Sequence, residues 1–251
     1  MIRWMTAFVD RPVGTIAAAT SFWAAATATR LSPSRGDRDE FRTLVPSDGD
    51  PHLRVQAVTD GPGGVHLDLH VADIEVLADR AVGLGASVVA RPGHVVLRSP
   101  GGLLLCAVGH HGEHRVPEPV SLPDGGTTRV DQVSIDVPGE RFDDEIRFWS
   151  DLTGWPLRPS RLPEFVALDR PAGFPWRVLL HRLGDDDAGT TVRAHLDVAC
   201  GASIDAAIDR HQELGAERGR DGVVWTTMTD PTGFEYCLTR RDPETGLLTT
   251  T

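Results

Sequence analysis

The chain contains no lysine, so all 25 of its Lys+Arg residues are arginine. That excludes Schiff-base chemistry and a lysine nucleophile outright. No basic run occurs, and a net charge of −11 is the reverse of the basic stripe that neutralises a phosphate backbone, so nucleic acid is not an expected partner. Cysteine is scarce: Cys106, Cys200 and Cys237 are isolated and read as small buried hydrophobes in a reducing compartment. No apolar segment is long enough to span a bilayer, which sets a membrane aside as partner. No glycine-rich nucleotide loop joins a strand to a helix, since Gly61-Pro62-Gly63-Gly64 leads into a strand. A serine nucleophile elbow and a Cys-x-x-Cys pair are also missing. The Ala-rich run from Val13 to Ala26, after Arg3, is similar to a signal peptide, but Asp10-Arg11 interrupts the apolar stretch. Because Phe22-Trp23 falls where Phe148-Trp149 falls in the second half, the run reads as a domain helix and the protein as cytoplasmic.

What the chain does have is a repeat. His195-Leu196-Asp197-Val198 answers His66-Leu67-Asp68-Leu69, and Leu214-Gly215-Ala216 answers Leu84-Gly85-Ala86. Asp230-Pro231-Thr232-Gly233-Phe234-Glu235-Tyr236-Cys237 answers Ser99-Pro100-Gly101-Gly102-Leu103-Leu104-Leu105-Cys106, so both copies close with a turn followed by a short apolar strand. Asp or Ser at the first turn position, Pro at the second and Gly at the fourth suit a tight type I or II turn. The duplication divides the chain into a domain over 1–111, a linker over 112–127 and a domain over 128–251.

Within each half the pattern predicts strand, helix, then several strands, twice over. Gly64 to Val71 alternates, with Val65, Leu67, Leu69 and Val71 on one face and His66, Asp68 and His70 on the other. Val130 to Val137 places Gln132, Ser134 and Asp136 opposite Val133, Ile135 and Val137. The strand Val192 to Val198 turns Arg193, His195 and Asp197 to its polar face. Asp73 and Ser203 are expected N-caps of helices, and Gly154 ends the helix that carries Phe142, Ile146, Trp149 and Leu152. His211 lies in the stripe of the last helix and reads as a packing histidine. His110, His111 and His114 fall in a His-, Pro- and Gly-rich stretch and read as solvated linker residues, because nothing in the sequence fixes their geometry.

These residues resemble the vicinal oxygen chelate superfamily, which includes glyoxalase I, bleomycin-resistance proteins and extradiol dioxygenases. The resemblance rests on Phe148-Trp149 with Leu152-Thr153-Gly154-Trp155, on Arg193-Ala194-His195-Leu196-Asp197 and on the Asp230 to Cys237 stretch, and it covers nearly the whole chain. More narrowly the chain is similar to two-domain glyoxalase-like proteins common in actinobacteria. The resemblance implies an α+β fold of two tandem glyoxalase-like domains, each of paired βαβββ modules forming a curved mixed sheet with helices on the outer face. It also implies a divalent metal held by residues of the first, fifth and eighth strands, which here are Gln132, His195 and Glu235. Zn, Ni, Fe, Mn and Co all suit such a set. Read from the residues, Gln132 and His195 lie on polar strand faces, and Glu235, in an apolar strand, needs a partner. The competing arrangement has Gln132 and His195 bonded to each other or to Asp197, with Glu235 paired to an arginine such as Arg193. The matching positions of the first half are Thr6, His66 and Leu104, one ligand of three, so that half is expected to be a degenerate copy and the chain to hold one ion.

Two functions are consistent with this reading. One is a metal-dependent enzyme, lyase, isomerase or dioxygenase in type, acting on a small oxygenated molecule, with Glu235 as ligand and base and His181 as a further ligand or base. The other is a binding or sequestration protein of the antibiotic-resistance kind, in which Trp155, Phe165, Trp176 and Trp225 stack on a flat ligand. In both the partner is a small molecule, and a homodimer is left open.

Overall fold

The computed structural model describes residues 1–160, 162–184 and 191–248. Residue 161, the stretch 185–190 and the last three residues of the expected second domain lie outside them. The first half runs β1 (Ile2–Pro12), α1 (Ile16–Ala26), β2 (Arg30–Leu31), β3 (Phe41–Val45), β4 (Leu53–Val58), then β5 (Gly64–Val71), α2 (Ile74–Gly83), β6 (Ser87–Ala90), β7 (Val95–Arg98) and β8 (Leu104–Gly109). After a short β9 (Val120–Ser121) the order repeats. It runs β10 (Thr127–Val137), α3 (Phe142–Thr153), β11 (Leu157–Pro159), β12 (Phe165–Leu168), β13 (Arg177–Arg182), then β14 (Arg193–Ala199), α4 (Ile204–Glu213), β15 (Glu217–Asp221), β16 (Trp225–Thr229) and β17 (Glu235–Thr239). The expected fold is the observed one: four βαβββ modules making two mixed sheets.

The strand orders are β2-β3-β4-β1-β5-β8-β7-β6 and β11-β12-β13-β10-β14-β17-β16-β15, with β9 added against β10. One parallel pairing in each sheet sets an aspartate beside a cysteine. In β5·β8 Asp68 stands beside Cys106, and in β14·β17 Asp197 stands beside Cys237. Because β5 and β14 are central strands, their polar faces are covered as well as their apolar ones. His66, Asp68, His70 and Asp197 are all buried, which obliges each to find a polar partner.

Local signals behave as their chemistry requires. Asp73 accepts a hydrogen bond from the Val76 N–H at 3.1 Å, capping α2. Gly154 ends α3 at φ 72°, a left-handed conformation in which a side chain would be strained. The repeated turns close through Gly102 N–H to Ser99 O (3.0 Å) and Gly233 N–H to Asp230 O (2.9 Å). Ser203 departs from expectation: it makes no side-chain cap, because a short 3₁₀ turn, Gly201–Ser203, leads into α4. The aromatic pairs of the duplication are equivalent in detail. Phe22 and Trp23 meet edge to face at 5.3 Å and 82°, Phe148 and Trp149 at 5.4 Å and 83°.

Contact density groups the modules differently from the sheets. One compact unit comprises residues 1–8, 65–115 and 133–194; the other comprises 9–64, 116–132 and 195–251. Each unit is stapled by a repeated turn. In the first, the buried Glu145 carboxylate accepts from Ser99 Oγ (2.8 Å), Gly101 N–H (2.6 Å) and Trp149 Nε1 (2.9 Å). A Cβ at Gly101 would lie 2.2 Å from Val192 Cγ2 and 2.8 Å from Glu145 Oε1, so no larger residue fits there. In the second, Asp230 receives Arg11 Nη2 at 2.8 Å and Trp23 Nε1 at 3.3 Å. The turn of one module thus holds the helix or strand of a module remote in sequence.

All three cysteines are free, Cys106 and Cys200 buried and Cys237 half-buried. Thiol titration of denatured protein prepared without reductant should therefore recover three thiols per chain; recovery of only one would mean a disulfide that this fold does not contain.

Candidate functional site

The adjacent strands β10, β14 and β17 bring polar side chains together at the middle of the second sheet. β10 supplies Gln132 and β14 supplies His195 and Asp197 from one face, two residues apart. β17 supplies Cys237 because its parallel register sets it beside Asp197. Gln132 Nε2 donates to Asp197 Oδ2 at 2.5 Å, and both residues are buried. His195 Nε2 lies 3.3 Å from Asp197 Oδ1 and 3.6 Å from Cys237 Sγ. The potential ligand atoms of His195, Asp197 and Cys237 all lie within 4.8 Å of one another. Burial, opposed by His195, holds the Cys237 thiol above its ordinary pKa.

This donor set fits a borderline divalent ion. Bond lengths of about 2.0–2.1 Å to nitrogen or oxygen and about 2.3 Å to sulfur, in a tetrahedron, separate two N/O ligands by about 3.3–3.4 Å and a nitrogen from a sulfur by about 3.6 Å. The separations at His195 Nε2 are close to both. Asp197 Oδ1 is buried and accepts no hydrogen bond among the described residues, leaving an acceptor directed at the cluster.

The sequence-derived set is thus divided. Gln132 and His195 come together, and both meet Asp197, the contact that the competing arrangement anticipated. Glu235 is not part of this group: as the first residue of β17, just past the Asp230–Gly233 turn, it is exposed, so the buried carboxylate that the apolar strand suggested is not there. Arg193 faces Asp136, its Nε 3.8 Å from Oδ2. His181 belongs to that same cluster, its Nδ1 3.0 Å from Asp136 Oδ1 and its ring stacked 4.6 Å from Phe165. Trp155 and Trp176 are core residues rather than a stacking platform. The residues that sequence reasoning passed over as candidate ligands are Asp197 and Cys237. Their signal was the coincidence of two repeats, His-x-Asp and the terminal Cys.

The first sheet carries the same group, His66, Asp68 and Cys106, with His66 Nε2 3.7 Å from Asp68 Oδ1. It differs in what lies over it. Phe8 stacks on the His66 ring at 4.4 Å and 15°, filling that face, whereas the matching residue of β10 is the small Ser134. Thr6, the counterpart of Gln132, bonds His70 Nε2 at 2.9 Å instead of the aspartate.

The profile of a glyoxalase-like domain matches residues 6–108 and 132–239. A search of curated protein sequences finds no match. Among solved structures, the 2,3-dioxygenase LapB from Pseudomonas sp. KL28 is similar at TM-score 0.63 and 12% identity, over 95% of this chain and 92% of that one. The Mn(II)-bound glyoxalase from Novosphingobium aromaticivorans is similar at TM-score 0.58 and 16% identity, over 98% and 84%. A xylose isomerase-like TIM barrel/4-hydroxyphenylpyruvate dioxygenase fusion protein is similar at TM-score 0.60 and 13% identity, and the chain spans only 49% of its length. With the domain profile matched in both halves on a duplicated βαβββ framework, the chain belongs to the glyoxalase-like domain family of the vicinal oxygen chelate superfamily.

Proposed function

We propose that the protein is a metal-dependent enzyme acting on a small oxygenated organic molecule, with its working site in the second domain, 128–251, and in 1–111, across the linker 112–127, a degenerate copy whose His66, Asp68 and Cys106 do not serve as a second working site. The observation that carries this reading is the convergence of Gln132, His195, Asp197 and Cys237 on one face of β10, β14 and β17. His195, Asp197 and Cys237 would hold the ion, one of Zn, Ni, Fe, Mn or Co, and when bound it supplies a Lewis acid for neighbouring substrate oxygens. Gln132 fixes the Asp197 carboxylate by donating to its other oxygen, the outer contact that orients a ligand. Glu235, exposed and on the same face of β17 as Cys237, is the residue we assign to proton transfer with solvent and substrate. His181 is paired through Nδ1 with Asp136 and stacked on Phe165, and we assign it no part in this chemistry. In the first sheet Phe8 stacks on the His66 ring and Thr6 bonds His70 instead of fixing Asp68, so the contact that Gln132 supplies is missing, which supports a single working copy.

Elemental analysis of protein purified without chelator or affinity metal, followed by a screen of compounds with adjacent oxygens, tests this. His195→Ala and Cys237→Ser should each lose one ion per chain that His66→Ala keeps. Glu235→Ala should keep the ion and lose turnover. Loss of the ion in Glu235→Ala but not in Cys237→Ser would restore Glu235 as the ligand. Failure of the wild-type chain to hold any of the five ions at His195, with tight binding of planar antibiotics, would replace the enzyme by a binding module.

A further inference from the structure

The segment after β8 reads as a solvated linker by composition, and His111 and His114 are indeed exposed. His110 is not. Its backbone N–H extends the β5·β8 pairing by donating to Val71 O at 2.9 Å, and its side chain is only 14% exposed. The chain then turns so that Glu113 folds back between His110 and the buried His70 of β5. His70 Nδ1 lies 3.5 Å from Glu113 Oε1, and His110 Nδ1 lies 3.2 Å from Glu113 Oε2.

From this we infer a second divalent-metal site, distinct in place and chemistry from the cluster at His195, formed by His70, His110 and Glu113. These three ligand atoms lie within 4.8 Å of one another. The His–Glu separations match the about 3.3–3.4 Å edge that a tetrahedral ion imposes on nitrogen and oxygen ligands. The His110 Nδ1 is buried and, at 3.2 Å from the carboxylate, makes no hydrogen bond among the described residues. Beyond this first layer, Thr6 Oγ1 meets the far nitrogen of His70 at 2.9 Å, which can hold a proton on Nε2 and turn Nδ1 toward the cluster. The His111 N–H donates to Glu113 Oε2 at 3.0 Å and fixes the carboxylate. Two imidazoles and one carboxylate, with no thiol, suit a first-row divalent ion such as zinc, and leave coordination space for water or a small anion. Bound metal would tie the segment after β8 to the central strand of the first sheet.

The test uses the full chain, stripped by chelation and titrated with Co(II) in the visible range, then with Zn(II) in competition. Wild type should show a d–d spectrum without a thiolate-to-cobalt charge-transfer band for this site. That component should weaken at least about 100-fold in both His110→Ala and Glu113→Gln and persist in Cys106→Ser and Cys237→Ser. In the Cys237→Ser background, where the His195 site is disabled, added zinc should raise Tm by about 5 °C or more, and by much less when Glu113→Gln is added. The Glu113→Gln variant keeps the side chain's shape, so its metal-free Tm reports on folding separately from binding. Cobalt binding unchanged in His110→Ala and Glu113→Gln, or carrying a thiolate band throughout and lost with a cysteine, would overturn the site, as would no binding at all.

Discussion

Asp230→Ala is expected to destabilise the protein by about 3–5 kcal/mol, a fall in Tm of roughly 10 °C on heating. Asp230 begins the turn before β17, and its carboxylate is buried against Arg11, whose guanidinium is 3% exposed. Burial pushes the Asp230 carboxyl up, but the Arg11 charge and the hydrogen bonds from Thr232 and Arg11 hold it below the usual carboxylate range. The pair therefore stays ionised away from water. Arg11 also donates to the carbonyls of Asp10 and Gly64 and to Thr232 Oγ1, and it lies 3.6 Å over the Phe234 ring. Removing the carboxylate leaves that cation buried with its counter-charge gone, and also strips an acceptor from Trp23 Nε1 and from the Thr232 and Phe234 N–H groups. Replacing both partners by apolar residues removes the stranded charge, so Arg11→Leu/Asp230→Leu should recover most of the loss. Urea unfolding of the three proteins checks this, and a single variant within about 1 kcal/mol of wild type would reduce the pair to an incidental contact.

Acid should destabilise the protein through His211 by about 3 kcal/mol. This residue is 2% exposed in α4, edge-on to Phe22, with Nδ1 2.8 Å from the Tyr236 hydroxyl. Burial, with the nearby Arg210 charge, pushes its pKa down from 6.5 to about 4. In the unfolded chain the imidazole takes up a proton near 6.5, whereas the folded chain refuses it until about 4. Between those values the unfolded state binds more protons. His211 therefore costs no stability above pH 6.5, an increasing amount as pH falls toward 4, and a constant amount below. Of the total, about 2 kcal/mol should be lost by pH 5. The His211→Gln variant cannot take up this proton, so the wild-type-minus-variant difference in unfolding free energy should shrink between pH 7.5 and pH 5. A difference independent of pH would mean that the imidazole is protonated inside the fold.

The sequence alone determined the duplication, the order of strands and helices and the polar faces of β5, β10 and β14. Each depends on residues close in the chain: a two-residue alternation, a cap, a glycine that alone accepts φ 72°. It also brought Gln132 and His195 into consideration as a pair. What it did not determine is the third partner. Glu235 and Cys237 share one face of β17, and only the parallel register, with Cys237 beside Asp197 and Glu235 left at the exposed start of the strand, separates them. The stacking of Phe8 on His66 depends on β1 meeting β5 across more than fifty residues. Likewise, the linker histidines look unfixed until β8 brings His110 to Val71 and the chain folds Glu113 back onto His70. Local periodicity fixes which way a side chain faces. Which of the facing side chains meet is decided by long-range strand pairing, and that appears only in the tertiary structure because no single segment contains both partners.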